Sequence, residues 1–211
     1  EWESDMKASS LIGREFAHTT DHKISGKVID LLFDLSLNEV AFFLVEVTVE
    51  AGTAPLLFSP VVIVLEDGVV KTNAHPDDIG QRVNAAVHRT AVAIDPTNLP
   101  STLIGPFGNT ISPSLIAALF NARTAQERPK PPGDSDGVWF TQLKGHAVHA
   151  HVAEVGHLTD MELDGHLVVS QGVEITTPHG ASTIIAPTSI QAGRTADDIL
   201  VLTVAQDQAG A

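Results

Sequence analysis

The sequence predicts a mainly β chain made of two copies of one β unit, with a few short helices in the connecting region. Three observations carry this. A pattern recurs in order, period-two alternation dominates both copies, and one Pro/Gly-rich stretch separates them. In the first third stand Leu11-Ile12-Gly13, then Gly26-Lys27-Val28-Ile29-Asp30-Leu31-Leu32-Phe33-Asp34, then Phe58-Ser59-Pro60-Val61-Val62-Ile63. The last third repeats them as Leu143-Lys144-Gly145, Gly156-His157-Leu158-Thr159-Asp160-Met161-Glu162-Leu163-Asp164 and Ile185-Ala186-Pro187-Thr188-Ser189-Ile190. An internal repeat sets the architecture before any local feature does.

The first copy reads as strands. In Val28–Asp34, Ile29, Leu31 and Phe33 alternate with a face bearing Val28, Asp30, Leu32 and Asp34, the mark of a half-buried antiparallel strand. Its counterpart puts Met161 and Leu163 on one face and Asp160, Glu162 and Asp164 on the other. The aspartates are expected to face outward or to cap turns. After a turn at Ser36–Glu39, Val40–Val49 supplies the partner strand of a hairpin. Gly13 to Gly26 is a step of 13 and Gly145 to Gly156 a step of 11. A two-residue difference preserves which side chains face inward, whereas one residue would flip them.

The connecting region differs in kind. Pro76-Asp77-Asp78 opens a helix in which Ile79, Val83 and Val87 share a face, with the acids at the positive end of its dipole. Ala91–Ile94 is expected to be a strand, and Ser112-Pro113 to start a helix through Leu115, Ile116, Leu119 and Phe120. Gly105–Asn109 reads as a loop, lacking the residues of a phosphate cradle. Arg128–Gly137 is the clearest linker. The expected division is therefore 6–127 for the first unit with its helical extension, 128–137 for the linker and 138–206 for the second unit. Ile199–Val204 reads as the last strand and 206–211 as a frayed tail.

Bulk composition excludes several classes. With 26 acidic against 12 basic residues, the net charge of −14 argues against a nucleic-acid groove and against anionic lipid. The absence of cysteine rules out disulfides, thiolate zinc sites and thiol catalysis. No apolar run reaches the roughly 18 residues that span a bilayer. The chain opens Glu1-Trp2-Glu3-Ser4-Asp5 ahead of Met6, so an upstream leader stays open beside a cytoplasmic expectation.

The repeated pattern, Leu-x-Gly, a polar hairpin, Gly-x-Val-x-Asp-x3-Asp, an apolar strand, and a small residue before Pro, resembles the PRC-barrel family. Met6 to about Leu65 fits well. Trp139-Phe140-Thr141-Gln142-Leu143-Lys144-Gly145-His146 leading into Gly156-His157-Leu158-Thr159-Asp160 looks like the second unit of tandem members, related to the cytoplasmic domain of the photosynthetic reaction centre H subunit. The second copy departs after Asp164, where Gly165-His166 stands for a longer turn and Ser170-Gln171-Gly172 interrupts the following strand. The resemblance implies two small closed β-barrels, packed by inward Leu, Ile, Val and Phe. It also implies a non-enzymatic binding or assembly role, with no catalytic residues and no cofactor carried over.

Candidate chemistry is sparse. Asp30 and Asp34 lie about 13 Å apart along a strand, too far for a hydrolytic pair at about 5–9.5 Å or for ligands of one ion. No Gly-x-Ser-x-Gly elbow is present. Six of ten histidines lie between His146 and His179. His149 and His151 alternate on a strand and offer two metal ligands, with a third from His157 or His166 across the hairpin. The expectations are a protein partner or homo-oligomer, with neither nucleic acid nor direct membrane insertion. The alternatives are a metal-binding protein or metal-dependent enzyme using His149, His151 and His157, and a self-associating scaffold.

Overall fold

A computed structural model describes residues 6–66, 68–90, 103–104, 110–111, 129, 137–150, 153–194 and 200–204. In chain order the first copy supplies β1 (Met6–Lys7), α1 (Ala8–Leu11), β2 (Glu15–His18), β3 (Ser25–Asp34), β4 (Val40–Val49), β5 (Gly52–Phe58), a 3-10 turn at Pro60–Val62, β6 (Ile63–Glu66) and β7 (Val69–Thr72). Next come α2 (Pro76–Thr90) and a hairpin of β8 (Leu103–Ile104) with β9 (Thr110–Ile111). The second copy supplies β10 (Gly137–Trp139), α3 (Phe140–Leu143), β11 (Ala147–Ala150), β12 (Ala153–Leu163), β13 (Val169–Thr176), β14 (Ser182–Ile185), a 3-10 turn at Pro187–Ser189, β15 (Ile190–Arg194) and β16 (Leu200–Val204).

The protein is mainly β, and the two copies share one topology. The first sheet runs β5-β4-β3-β2-β7-β6 and the second β14-β13-β12-β11-β16-β15. In each, the strand after the first repeat glycine pairs in parallel with the last strand, β2 with β7 and β11 with β16. The predicted hairpin of β3 with β4 is antiparallel, and Gly26 and Gly156 stand opposite Phe16 and Val148 in matching registers. A methyl at Gly26 would lie 2.2 Å from the Glu46 carbonyl oxygen, and one at Gly156 would lie 2.4 Å from that of Thr176. Both glycines are therefore required by close backbone approach. Among the described residues no pairing joins β5 to β6 or β14 to β15, so neither sheet is closed by hydrogen bonds.

The first strand of each copy leaves its own sheet. β1 pairs with β12 of the second copy, Met6 opposite Leu163 and Lys7 opposite Glu162. Reciprocally, β10 pairs with β3 of the first copy, Gly137 opposite Asp34, Val138 opposite Phe33 and Trp139 opposite Leu32. Gly137, the last residue of the predicted linker, thus begins a strand. A methyl there would lie 2.7 Å from the Phe33 carbonyl oxygen, so the contact needs glycine. The hairpin ends also meet: Val40 N–H donates to the Leu167 carbonyl at 3.1 Å and Val169 N–H to that of Asn38 at 2.7 Å. An isolated antiparallel bridge joins Glu39 and Val168.

These exchanges merge the cores. Met6, Ala8 and Leu11 from one hook, Val138, Phe140 and Leu143 from the other, and the inner faces of both sheets form one buried cluster. Phe140 packs against Phe33 of the first copy with ring centroids 6.3 Å apart, a tilted contact favoured by the ring quadrupoles.

Strand parity departs from simple alternation where the strands bulge. β3 bulges at Ile29, between the pairs Val28–Val45 and Asp30–Leu44, and β12 bulges at Thr159 in the same position. The extra residue shifts the face of what precedes it. Val28 and Leu158 enter the core in place of Ile29 and Thr159, and Ile29, expected inward, is 38% exposed. Contrary to the interruption expected at Ser170-Gln171-Gly172, β13 runs through these residues without a break, and the register shift between Glu162 and Leu163 has its equivalent between Leu32 and Phe33 in the first copy.

Helix α2 starts at the predicted Pro76 with Asp77 and Asp78 in its first turn, and it buries Ile79 and Val83 with Val87 alongside. The final strand lies within the predicted Ile199–Val204. The Ala91–Ile94 strand, the Gly105–Asn109 loop, the Ser112–Phe120 helix, the tail and nearly all of the 128–137 linker lie outside the described residues. Among the described residues no helix is long and apolar enough to cross a membrane.

Candidate functional site

The carboxylates that the repeat singles out have structural posts. Asp30 is fully buried and Asp160 is 6% exposed, contrary to the outward face expected of them. They sit on the sheet face away from the core, where the hook of the other copy covers them. Asp160 accepts the Ser9 N–H at 3.0 Å and the Ser9 hydroxyl, at the start of α1. Asp30 accepts the Thr141 N–H at 3.2 Å and the Thr141 hydroxyl, at the start of α3. Each carboxylate also takes the next residue's N–H, from Leu31 or Met161, at 2.9 Å. One copy's aspartate thus caps the other copy's one-turn helix, satisfying donors that lack an intrahelical partner. No local signal marks this, because Ser9 and Asp160 are 151 residues apart.

Asp34 closes a turn, one of the two roles open to it in the sequence, and Asp164 does the same rather than simply facing outward. Asp34 accepts the N–H groups of Asn38 and Glu39, and Asp164 those of His166 and Val168. The turns hold Leu37 and Leu167 at φ of 56° and 64°, in the left-handed region that a leucine rarely adopts. Both side chains are buried, so apolar burial and the aspartate caps offset that cost.

Histidines divide by role. His18, 5% exposed, places Nε2 at 2.7 Å from the Ala74 carbonyl, while Nδ1 accepts the N–H groups of Thr20 and Asp21 at 3.1 and 2.9 Å. A carbonyl only accepts, so these partners assign the hydrogen to Nε2. His18 escapes sequence reasoning because its partners come from its own loop and from Ala74, between β7 and α2. His146 reaches the Leu200 carbonyl at 2.7 Å, 54 residues on, and its counterpart Arg14 reaches that of Gly68 across the same interval. The residue after each repeat glycine therefore ties down the entry to the last strand.

Of the predicted metal ligands, His149 stands on β11 opposite Glu154, and His157 on β12 opposite Ala147, with a bulge between them. His157 is exposed and its Nε2 lies 3.2 Å from Glu154 Oε1. His151 lies outside the described residues. His166 sits in the turn at the far end of β12 from His157, so these two alternatives for a third ligand are not interchangeable. Among the described residues no group of three or more His, Asp or Glu side chains is placed to hold a metal ion.

A groove of about 670 Å³ lies between α2 and the β5 end, lined by Leu57, Phe58, Val62, Ile79 and Arg82 among others. Arg82 donates to the Leu57 carbonyl and stands 5.3 Å from the Phe58 ring centroid. Burial lowers its guanidinium pKa from the usual value, opposed by the charge of Asp78. Its cation is committed to the groove wall. No family model and no curated protein matches the chain.

Proposed function

We propose that the chain is a non-enzymatic binding and assembly module of the PRC-barrel type, each copy being one small barrel unit. The observation that carries this reading is the use of the polar groups. Asp30, Asp34, Asp160, Asp164, His18 and His146 are all engaged in hydrogen bonds to backbone or hook. Polar side chains spent in this way, His18, Asp30 and Asp160 among them buried, fix a unique fold. The reciprocal hooks unite the copies over one core, suiting a rigid platform that presents surface to a partner. The polar outer positions of the second copy fit the same role, since Glu162 and Glu174 stand where the first copy has the buried Leu32 and Leu44.

Cross-linking of the full chain in its native extract, followed by mass spectrometry, tests this reading. A reproducible protein partner is expected. A strictly monomeric particle that cross-links to nothing refutes it.

A further inference from the structure

The duplication supplies an internal comparison of sheet edges. β5 and β14 are equivalent outer strands at a constant offset of 127 residues, since Phe58 pairs with Phe43 as Ile185 pairs with Val173. In an antiparallel pair, successive residues alternately bond to the neighbour and face away from it. Thr177 N–H donates to the Ala181 carbonyl at 2.8 Å, and the register from Thr176–Ser182 to Val173–Ile185 runs on without a shift. Thr183 and Ile185 therefore bond to β13, while Ser182 and Ile184 turn their N–H and C=O groups to the open side. The matching residues of the first copy are Pro55 and Leu57. Proline has no N–H, and the Leu57 carbonyl accepts from Arg82 of α2, so that edge is blunted at both positions. β14 has neither device, and it carries no lysine and no bulge. Ser182, Thr183 and Ile184 are exposed, Ile184 at 52%.

We propose that β14 is a self-association edge, on which the β14 strand of a second molecule pairs antiparallel about a two-fold axis through Thr183. The inference goes beyond the assembly reading, and each can fail without the other. Ser182 then stands opposite Ile184 of the other molecule, and the outward N–H and C=O groups of both strands all find partners. Strand composition selects the occupant. Ser182-Thr183-Ile184-Ile185 bears no charge, so an identical strand meets it without like charges directly opposite. Glu174, the cross-strand neighbour of Ile184, is paired with Lys7 at 2.7 Å. Three interstrand spacings of about 4.8 Å part the two Glu174 carboxylates, well past the screening length of about 8 Å. A strand of 4 residues buries less than a standard interface, so the dimer is weak and concentration-dependent.

Sedimentation of the full chain over a concentration series up to about 1 mM tests this. A reversible dimer is expected, unchanged by V64T on β6. S182P installs the proline that the first copy carries and I184K places a charge on the edge, and each should weaken the dimer at least about tenfold. Should S182P lose its native circular dichroism, I184K, which changes an exposed side chain alone, carries the comparison. The chain has no cysteine, so T183C supplies a single thiol that faces its own counterpart across the axis. An intermolecular disulfide is expected for T183C and not for S182C, whose thiols are offset along the strands. A monomer at every concentration, or a dimer that both S182P and I184K leave intact, overturns the edge, while the assembly reading stands on its own cross-linking result. Faster disulfide formation by S182C than by T183C overturns the pairing about Thr183. A monomer whose T183C thiol cross-links to a different protein in extract overturns the second molecule as the occupant.

Discussion

Replacing Asp30 by alanine should test the hook directly. The carboxylate is fully buried and accepts the N–H and hydroxyl of Thr141 and the N–H of Leu31. Hydrogen bonds to a charged group are each worth roughly 1.5–3 kcal/mol, and a buried donor left without an acceptor costs about 1–3 kcal/mol. Two of the three bonds cross between the copies, so D30A is expected to cost roughly 3–5 kcal/mol, a large share of a typical stability of about 5–15 kcal/mol. D30N keeps the shape and one carbonyl acceptor and should cost about half as much. Urea unfolding followed by far-ultraviolet circular dichroism and by tryptophan fluorescence gives both values at constant m. A double-mutant cycle then isolates the contact. D30A and T141A should couple by roughly 1–2 kcal/mol, whereas D30A and S9A, which touch different hooks, should add within about 0.5 kcal/mol. A D30A cost below about 1 kcal/mol, or simple additivity with T141A, refutes the latch.

Truncating Phe140 empties the site beside Phe33, and F140A should cost roughly 3–5 kcal/mol while unfolding remains one transition by both probes, because the cores are continuous. Two separated transitions in the wild type would contradict that continuity. G26A forces a methyl against the Glu46 carbonyl and should destabilise by about 3 kcal/mol or more, whereas G80A, in α2 with open space around it, should stabilise by about 0.5–1 kcal/mol. Thermal melts that rank the two variants in the opposite order would overturn both readings. Hydrogen bonds from Lys7 and then Ser182 hold the Glu174 carboxyl below its ordinary 4.5, and the bond to Glu174 holds Lys7 above its ordinary 10.5. The Glu174 contribution is therefore present above pH 4.5 and lost as pH falls through the lowered value, while that of Lys7 is present below pH 10.5 and lost as pH rises through the raised one. The stability difference between wild type and E174Q should accordingly be flat near neutrality and vanish in acid, and a difference that grows with acid would show the sign to be wrong.

The sequence by itself determined the mainly β character, the β3–β4 hairpin, a turn role open to Asp34, and the start of α2. These are local or periodic properties: a strand alternates, a helix begins at a cap, and a turn needs an acceptor within a few residues. Tertiary structure alone decided which copy each first strand serves. Nothing in Met6–Leu11 or Gly137–Leu143 encodes locally that it pairs with the other sheet, since either sheet offers the same backbone groups. The bulges at Ile29 and Thr159 likewise depend on the partner strand, and they undo an alternation that looks regular in sequence. Asp30 and Asp160 read as solvent-facing for the same reason. Their burial is created by residues more than 100 positions away, and only the folded chain brings each carboxylate to the helix it caps.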